Sequence, residues 1–447
     1  MIPMVANISQ QSIVIVGLGQ TGLSCLRFLA QKDYMIAIMD SREQPPALSI
    51  VQQEYPDILI KTGGFDASWL QQANMIVLSP GVDPRDAAIE AAKQNGVEIV
   101  GDVELFARYA NAPIIAITGS NGKSTVTTLL GEMAQQAGKN IKVGGNLGTP
   151  TLDLITEPAP DFYIVELSSF QLETVRSLNA FASVVLNVSP DHMDRYDSEQ
   201  DYQNAKARIF NGDGVMVLNN DDVFVSQLSQ QNRNQITFGI NADFSVVSHD
   251  GKQCLAEKSL PLIEIDSLKI IGKHNIANAL AALALGSAMA LPMSAMLTAL
   301  QQYSGLPHRC HLVGENDGVR WFNDSKATNI GACVAAIEGL ADTGNIILIA
   351  GGEGKDQDFS ELTAILQQSV PAVILLGHDA ELIEASLPKE LAAYRVESLQ
   401  EAVLKAKEIA QAGDKVLLSP ACASFDMFSG YAQRGELFES LVREHCL

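Results

Sequence analysis

Short apolar runs alternate with amphipathic stretches along most of this chain. The runs are rich in Val and Ile, which is typical of buried strands. Strands that alternate with helices in this way indicate parallel sheets covered by helices. The runs that we predict to be strands are Ile13–Val16, Met35–Met39, Met75–Leu78, Ile114–Ile117, Phe162–Val165, Val184–Asn187, Ile346–Ala350, Val373–Leu376 and Val416–Leu418.

Helices are predicted by the spacing of apolar residues. Val126 is followed by apolar residues at i+3, i+4, i+7, i+8 and i+11, which lie on one face of a helix. Similar patterns predict helices over Asn275–Tyr303, Ser398–Ala412 and Gly430–Glu444. Segment 241–270 is polar and irregular, so we expect short strands at the edge of the middle domain.

The chain is long enough for three domains, since it has 447 residues and a domain averages about 150. A new strand begins just after Ala112-Pro113, and the long helical segment gives way to another α/β series near Ser304–Pro307. We therefore expect three α/β domains, at residues 1–101, 102–306 and 307–447.

Composition narrows the class of protein. Hydrophobic residues make up 47% of the chain, so each domain can bury a core. The 30 basic and 52 acidic residues give a net charge of −22, which opposes binding to nucleic acid or to anionic lipid. No apolar stretch approaches the roughly 18 residues of a membrane helix, and the six cysteines lack CxxC spacing. We expect a cytoplasmic monomer with reduced thiols, no membrane insertion and no nucleic acid partner.

The strand Ile114–Ile117 leads through Thr118 into the glycine loop Gly119-Ser120-Asn121-Gly122-Lys123-Ser124-Thr125 and then into the predicted helix. In this order backbone amides can surround phosphates at the helix N-terminus, Lys123 can reach the β- and γ-phosphates, and Ser124 is placed to bind Mg²⁺. Two residues separate the glycines, where the usual pattern has four. A tight structural turn is the alternative, but the flanking strand and helix favour phosphate binding.

Polar residues follow the next predicted strands. Glu166 ends one strand, and beside a phosphate loop such a carboxylate commonly completes a Mg²⁺ shell. Elsewhere it would more often be a solvated strand end. His192 follows the next strand, near the edge where α/β sheets bind ligands, although an isolated histidine is more often structural. Lys206 lies on a predicted helix beyond it.

A second glycine-rich loop, Gly17–Gly22, follows the first predicted strand, and Asp40 lies 18 residues after Gly22. This spacing matches the dinucleotide fingerprint, in which the acid holds a ribose hydroxyl. The same geometry can bind any nucleotide diphosphate, and Ser41 and Arg42 add polar groups. The residues alone leave both a nicotinamide dinucleotide and another nucleotide open.

Several motifs together resemble those of the Mur ligases of bacterial cell-wall synthesis, and they span essentially the whole chain in the family's order. The motifs are TGSNGKST (118–125), ELSSFQLE (166–173), NVSPDHMDRY (187–196), GKHNIANALAA (272–282), LPHR (306–309), NDSKATN (323–329) and SPACASFDMF (419–428). The resemblance is strongest to members that add D-glutamate to UDP-N-acetylmuramoyl-L-alanine. It rests on the N-terminal glycine loop with Asp40-Ser41-Arg42 and on the SSFQLE and SPACAS runs.

The resemblance implies a fold for each domain. It indicates a Rossmann-like N-terminal domain for the uridine nucleotide and a central P-loop ATPase-like domain with a mostly parallel sheet. A Rossmann-like C-terminal domain would bind the incoming amino acid and close on ATP.

The resemblance also implies roles for individual residues, with Lys123, Glu166, His192 and Lys206 as the catalytic set. Ser124 and Glu166 would bind one Mg²⁺, and His192 with Lys206, carbamylated by CO₂, would bind a second. ATP would be held by Gly119, Ser120, Asn121, Gly122, Lys123, Ser124, Thr125, Asn275, Asn278 and Arg309. The UDP substrate would contact Gly19, Gln20, Thr21, Asp40, Ser41 and Arg42, with Asn146 and Ser168 near its muramoyl part. D-Glutamate would contact Lys326, Thr328, Lys355, Ser424 and Tyr431. The chain departs from the family pattern at Glu353, where we expect Asp, and at Tyr431, where we expect Phe.

The implied enzyme is an ATP-dependent, ADP-forming ligase of peptidoglycan precursor synthesis that works through an acyl phosphate. Three other functions stay open at this point. A sister ligase would keep the phosphate chemistry but add another amino acid. A nicotinamide-dependent dehydrogenase would use Gly17–Gly22, and a P-loop ATPase switch would hydrolyse ATP without any amino acid.

Overall fold

The computed structural model describes residues 11–270, 272–341, 345–354 and 357–447. Within these residues three sheets of five, nine and six strands follow one another along the chain. Most strand pairs are parallel, which confirms the predicted α/β class. The domain boundaries at 101/102 and 306/307 stay a prediction.

The first sheet is parallel throughout, with strand order β3-β2-β1-β4-β5. Because the order reverses between β1 and β4, the loops after these two strands diverge and leave a crevice at their carboxyl ends. The elements are β1 (Gln11–Val16), α1 (Gln20–Leu29), β2 (Tyr34–Met39), α2 (Leu48–Glu54), β3 (Leu59–Lys61), α3 (Ala67–Gln72), β4 (Met75–Leu78), α4 (Ala87–Gln94) and β5 (Glu98–Gly101), followed by α5 (Asp102–Tyr109).

The second sheet has the order β14-β13-β12-β11-β10-β9-β6-β8-β7. Its strands are β6 (Ile114–Thr118), β7 (Ile141–Gly145), β8 (Phe162–Glu166), β9 (Ala182–Val185), β10 (Val215–Asn219), β11 (Gln235–Phe238), β12 (Phe244–His249), β13 (Lys252–Glu257) and β14 (Leu260–Glu264). Its helices are α6 (Lys123–Gln136), α7 (Ser169–Leu172), α8 (Glu199–Ala207), α9 (Val223–Gln227), α10 (Lys273–Ala288) and α11 (Met293–Gln302). The predicted edge strands of segment 241–270 are confirmed as the antiparallel β12–β14.

The strand β6 is buried on both faces of the second sheet. Ile115 and Ile117 pack into the same core as α6 and α10, whereas Ile114 and Ala116 pack into the core shared with the first sheet. This alternation is the period of a strand. It fixes β6 at the centre, so the loop that follows it opens between the loops after β8 and β9.

The third sheet has the order β15-β16-β20-β17-β18-β19, with only β15 antiparallel to its neighbour among these strands. Its elements are β15 (His311–Asn316), β16 (Val319–Asn323), α12 (Ile330–Leu340), β17 (Ile346–Ala350), α13 (Thr363–Ser369), β18 (Ala372–Leu375), α14 (Ala380–Ala385), β19 (Ala392–Arg395), α15 (Leu399–Ile409), β20 (Lys415–Leu418) and α16 (Tyr431–His445).

Two predicted elements differ in the structure. The helical segment predicted over Asn275–Tyr303 is divided into two helices, because Pro292 lacks the amide hydrogen that a continuous helix needs and instead precedes α11. The strand predicted at Val184–Asn187 begins and ends two residues earlier, as β9. Asn187 instead turns to hydrogen-bond the loop after β6, where its Oδ1 accepts from the Asn121 amide at 2.8 Å.

Candidate functional site

The loop between β6 and α6 has the geometry of an anion cradle. Gly119 has φ 159° and Gly122 has φ 84°, a conformation that L side chains rarely adopt. A Cβ at Gly122 would also lie 2.3 Å from Oδ1 of Asn278, so α10 packs directly on the loop. The N-terminus of α6 has no side-chain cap, which leaves its first amides for an anion.

Two lysines converge on one carbonyl oxygen of this loop. Nζ of Lys123 donates to Gly119 O at 2.8 Å, and Nζ of Lys206, from α8, donates to the same oxygen at 2.9 Å. Burial lowers the pKa of both ammonium groups, and the nearby Lys123 lowers the pKa of Lys206 further. Lys206 is 2% exposed, and this burial shifts its protonation equilibrium towards the neutral amine relative to a lysine in water.

Glu166 offers a free carboxylate oxygen beside the loop. Its Oε1 accepts from Nδ2 of Asn146 at 2.7 Å, but the buried Oε2 has no partner among the described atoms. An orphaned anionic oxygen of this kind fits a hard divalent cation. Among the described residues, no group of three or more His, Cys, Asp or Glu side chains has an arrangement that could hold a metal ion by itself. A cation here would therefore also need the Ser124 hydroxyl, phosphate oxygens and water.

His192 lies on a tight turn after β9. Its φ is 59°, and its amide donates to Oδ1 of Asp191 at 2.9 Å. Nδ2 of Asn329, at the start of α12, donates to Oδ2 of the same aspartate at 3.0 Å and approaches Oδ1 of Asn121 at 3.5 Å. The start of α12 thus contacts both the phosphate loop and the His192 turn.

A first cavity of about 120 Å³ lies between the phosphate loop, α10 and α12. Arg309 lines it and donates from Nη2 to the Ser124 hydroxyl at 3.0 Å, which brings a cation from the third domain to the loop. Six of the residues predicted to bind ATP line this cavity: Asn121, Gly122, Thr125, Asn275, Asn278 and Arg309. Gly119, Ser120, Lys123 and Ser124 lie in the adjoining loop and helix start.

The first cavity also contains a buried aspartate that the sequence analysis did not identify. Asp324 follows β16 and is 8% exposed. It accepts from the Ser419 hydroxyl at 2.8 Å and from the Cys310 amide at 3.0 Å. Burial raises the pKa of Asp324 to about 7 despite these bonds.

A second cavity, of about 470 Å³, lies at the crevice of the first sheet and reaches the second domain. Seven of the eight residues predicted to hold the UDP substrate line it: Gly19, Gln20, Thr21, Asp40, Ser41, Arg42 and Asn146. The eighth, Ser168, is not among the lining residues, and its hydroxyl accepts from the Gln171 amide as the N-cap of α7. Gln171 itself lines the cavity.

Asp40, the acidic residue of the second cavity, is hydrogen-bonded to protein groups. Oδ2 of Asp40 accepts from the Leu18 amide at 2.6 Å and from Nη2 of Arg42 at 2.7 Å. Burial alone would raise the pKa of Asp40, but the bonds from Arg42 and Leu18 outweigh it and hold the pKa below its usual value. Asp40 therefore orients Arg42 towards the cavity, where the half-exposed guanidinium remains available to an anion.

The residues predicted to contact D-glutamate are only partly brought together. Nζ of Lys326 lies 3.7 Å from the centroid of the Tyr431 ring, and Lys326 lines the first cavity. Ser424 is buried. Neither Ser424 nor Thr328 lines the first or second cavity or the third one, which holds about 600 Å³ between Asp194 and the loops after β17, β18 and β20. Lys355 lies outside the described residues.

Some site residues could not be identified from their local sequence. The turn Ser79-Pro80-Gly81-Val82 lines the second cavity, and its only signal is its position after the predicted strand Met75–Leu78. Asn187 lies in a predicted strand, and Phe238, from β11, reaches the first cavity from a distant part of the chain. These contacts depend on strand order, which the local pattern does not contain.

Comparison with known families decides the kind of protein. Residues 11–101 match the family model described as "Mur ligase MurD-like, N-terminal domain". Residues 117–286 match "Mur ligase middle domain", and residues 308–422 match "Mur ligase, glutamate ligase domain". The chain belongs to the Mur ligase family. The order of its three sheets is thus the order of the family's domains.

Two relatives resemble this Mur ligase over nearly its whole length. A protein of Nitrosococcus oceani named UDP-N-acetylmuramoylalanine--D-glutamate ligase is 54% identical over 435 residues, which cover 96% of each chain. A protein of the same name from Pseudomonas aeruginosa is 49% identical over 96% of this chain and 97% of its own.

A solved structure shares the fold. The UDP-N-acetylmuramate-alanine ligase of Thermotoga maritima has a TM-score of 0.60 at 18% identity, covering 97% of this chain and all of that one. In the described part of this Mur ligase, no helix has both the length and the apolar character needed to cross a bilayer.

Proposed function

We propose that this Mur ligase joins D-glutamate to UDP-N-acetylmuramoyl-L-alanine, with conversion of ATP to ADP and phosphate, as a cytoplasmic monomer. The names of its relatives at about half identity support this choice of substrates. The structural observation that carries it is the bond between Asn146 and Glu166. Asn146 lines the second cavity, and Glu166 lies beside the phosphate loop. An acyl group held in the second cavity would therefore lie next to the γ-phosphate of ATP.

The reaction has to turn a poor electrophile into a good one. An oxygen of the alanyl carboxylate attacks the γ-phosphorus in line, the bond to the β-phosphate oxygen breaks, and ADP leaves. The nitrogen of D-glutamate then attacks the carbonyl carbon of the acyl phosphate. The tetrahedral adduct expels phosphate and loses a proton, and an amide remains.

The chain's own residues supply positive charge where the alanyl carboxylate, the triphosphate of ATP and D-glutamate meet. Lys123 now bonds the carbonyls of Gly119 and Ser120, at 2.8 and 2.9 Å, from which its ammonium can turn to the transferring phosphoryl group. Arg309 reaches the loop from the other side of the first cavity. Such preorganised cations stabilise charge that develops in the transition state. They are needed locally because the protein as a whole carries a charge of −22.

Magnesium fits the residues around this loop. Ser124 and Glu166 would hold one ion with the phosphates, since Oε2 of Glu166 is buried without a partner in the described structure. When bound, the ions offset the repulsion between the attacking carboxylate and the triphosphate. His192 and Lys206 would hold the second ion.

Lys206 would serve as a metal ligand only after carbamylation. A neutral amine attacks CO₂ to give a carbamate and release a proton, and burial favours the neutral amine here. The carbamate supplies oxygen ligands that Mg²⁺ prefers. With ¹³C-labelled bicarbonate we expect a carbamate carbon signal in the wild type and none in Lys206→Arg. Its absence from the wild type would contradict this role.

The proposed binding site for D-glutamate, which supplies the amine, lies in the loops of the third domain. Lys326 lines the first cavity, and its Nζ lies over the Tyr431 ring. These observations support a role for Lys326 in binding a carboxylate of D-glutamate. Thr328, Lys355 and Ser424 stay predictions. A site built for two carboxylates rejects an amino acid that lacks one, because a buried charged group would be left unpaired.

Phosphate release from ATP, with nucleotide substrates and amino acids supplied in pairs, tests the proposal. We expect release only with UDP-N-acetylmuramoyl-L-alanine and D-glutamate together, and product formation equal to phosphate released. L-Glutamate and D-alanine should be poor by at least about a hundredfold.

Each other outcome identifies a different function. Equal turnover with L-alanine or L-lysine would indicate a sister ligase. Phosphate release without any amino acid would indicate an ATPase switch, and tight binding of NAD⁺ by calorimetry would indicate a dehydrogenase. Light scattering should give the mass of one chain.

A further inference from the structure

Arg195 lies on the turn after His192 and has no role in the chemistry proposed above. Its side chain is 10% exposed although it belongs to a loop. Nη2 donates to Oε2 of Glu173 at 2.8 Å and to Val82 O at 3.3 Å, and Nη1 donates to Pro80 O at 3.4 Å. Arg195 therefore crosses from the second domain to the loop after β4 in the first.

The two carbonyls that Arg195 bonds belong to the wall of the second cavity. Pro80 and Val82 both line that cavity. The same turn is braced from the opposite side, because the Ser79 hydroxyl donates to Gly17 O at 2.8 Å, at the start of the N-terminal glycine loop. The position of this wall thus depends on a guanidinium that the second domain supplies.

Arg195 also holds the His192 turn, in two ways. Its amide donates to His192 O at 2.9 Å and closes the turn. Its guanidinium lies 4.5 Å from the centroid of the Phe170 ring, and that ring makes a T-shaped contact with the His192 imidazole at 4.8 Å between centroids. A shift of the guanidinium would therefore move His192 through both the backbone and Phe170.

We propose that Arg195 is a positioning residue that links filling of the second cavity to the placement of His192. A substrate that occupies the cavity fixes the Pro80–Val82 wall, the wall fixes the guanidinium, and the guanidinium fixes the His192 turn against the phosphate loop. The proposal rests on the proposed function, since it takes the second cavity as the site of the UDP substrate.

The alternative is that Arg195 only stabilises the junction of two domains. If Arg195 were purely structural, its replacement would lower the melting temperature. It would leave the affinity of the folded enzyme for UDP unchanged, and its effect on kcat would add to that of His192→Ala. The two roles therefore differ in binding and in additivity.

The first test is calorimetry on full-length Arg195→Lys and Arg195→Ala. Lysine keeps a charge for Glu173 but cannot present the planar fork that spans two carbonyls. Each variant loses hydrogen bonds from a charged donor, so we expect both variants to bind UDP and the UDP substrate about tenfold more weakly. Affinity for a non-hydrolysable ATP analogue should stay within about twofold. Arg176→Ala is the matched control, because that arginine is exposed and makes no ion pair within the described structure.

The second test is a double-mutant cycle on kcat at saturating substrates. We expect Arg195→Ala to lower kcat about tenfold when His192 is present and less than about twofold in the His192→Ala background. If Arg195→Ala does not fold, Arg195→Lys takes its place in the cycle. Unchanged UDP affinity or additive effects on kcat would overturn the proposal. A wild type that does not ligate D-glutamate would instead refute the proposed function.

Discussion

Arg434 ties together three loops of the third domain, and its replacement should destabilise that domain. The guanidinium, from α16, is 2% exposed and donates from Nη2 to Ser325 O at 2.9 Å and to Cys422 O at 3.1 Å. Longer bonds run from Nη1 to Ala423 O at 3.4 Å and to Gly351 O at 3.5 Å. Burial lowers the pKa of Arg434 to about 10, so the group is still a cation at neutral pH.

The substitution Arg434→Met keeps an unbranched side chain as far as the position of Nε and removes every donor. Each of the two closely bonded carbonyls would lose its partner at a cost of about 1–3 kcal/mol. The two longer bonds add less, and the relief of a desolvated charge acts in the opposite direction. We therefore expect a net loss of about 3 kcal/mol. For a domain of this size that lowers the melting temperature by about 10 °C.

The control is Arg443→Met on the same helix. Arg443 is 60% exposed and pairs with Glu439 one turn away at 2.8 Å, a surface pair worth about 0.3–0.5 kcal/mol. Calorimetric melting of both variants measures the difference, and D-glutamate KM should rise in Arg434→Met alone, since the loops that carry Lys326 and Ser424 lose their common anchor. Melting of the two variants within about 1 °C would refute the reasoning.

Three further predictions concern single groups of the site. Lys123→Ala should lower kcat by at least about a hundredfold with an unchanged circular dichroism spectrum, and near-normal turnover would contradict the phosphate-loop role. Arg42→Ala should weaken UDP binding about tenfold in calorimetry and leave ATP-analogue binding unchanged; equal effects on both nucleotides would argue against the second cavity as the UDP site. The raised pKa of Asp324, about 7 against 3.8, means that the folded state keeps a proton that the unfolded state has lost. Stability should therefore fall as pH rises from about 4 to 7, by at most about 4 kcal/mol. The free energy of unfolding of Asp324→Asn, measured with denaturant at several pH values, should lack this dependence on pH. The same dependence on pH in the wild type and the variant would contradict the prediction.

Features formed by residues that are close together in the sequence could be predicted. The strand, glycine loop and helix around Gly119 and Lys123 form a local unit, and the structure has them in the expected order. The N-terminal loop with Asp40 and Arg42 is also local, and these residues do line one cavity. Their spacing could not show that Asp40 is saturated by Arg42 and Leu18, because that depends on the side-chain conformation in the folded chain.

Features that depend on strand order could not be predicted. Asp324 follows β16, which the apolar pattern did not reveal, and it reaches the first cavity only because of how the third domain meets the second. Ser79–Val82 become a cavity wall because β4 lies beside β1. For the amino-acid site, Lys326 and Tyr431 are in contact, but the grouping of Thr328 and Ser424 with them stays a prediction.

The segment from Asp191 to Asp197 touches all three domains. Arg85, in the first domain, bonds Arg195 O and lies 3.7 Å from Asp197, while Asn329 of the third domain bonds Asp191. A hybrid enzyme that received the first domain of another Mur ligase would bring a foreign loop after β4 against this native segment. The unit of exchange is therefore larger than residues 1–101, and a working chimera should transplant the 191–197 segment together with the domain that it faces.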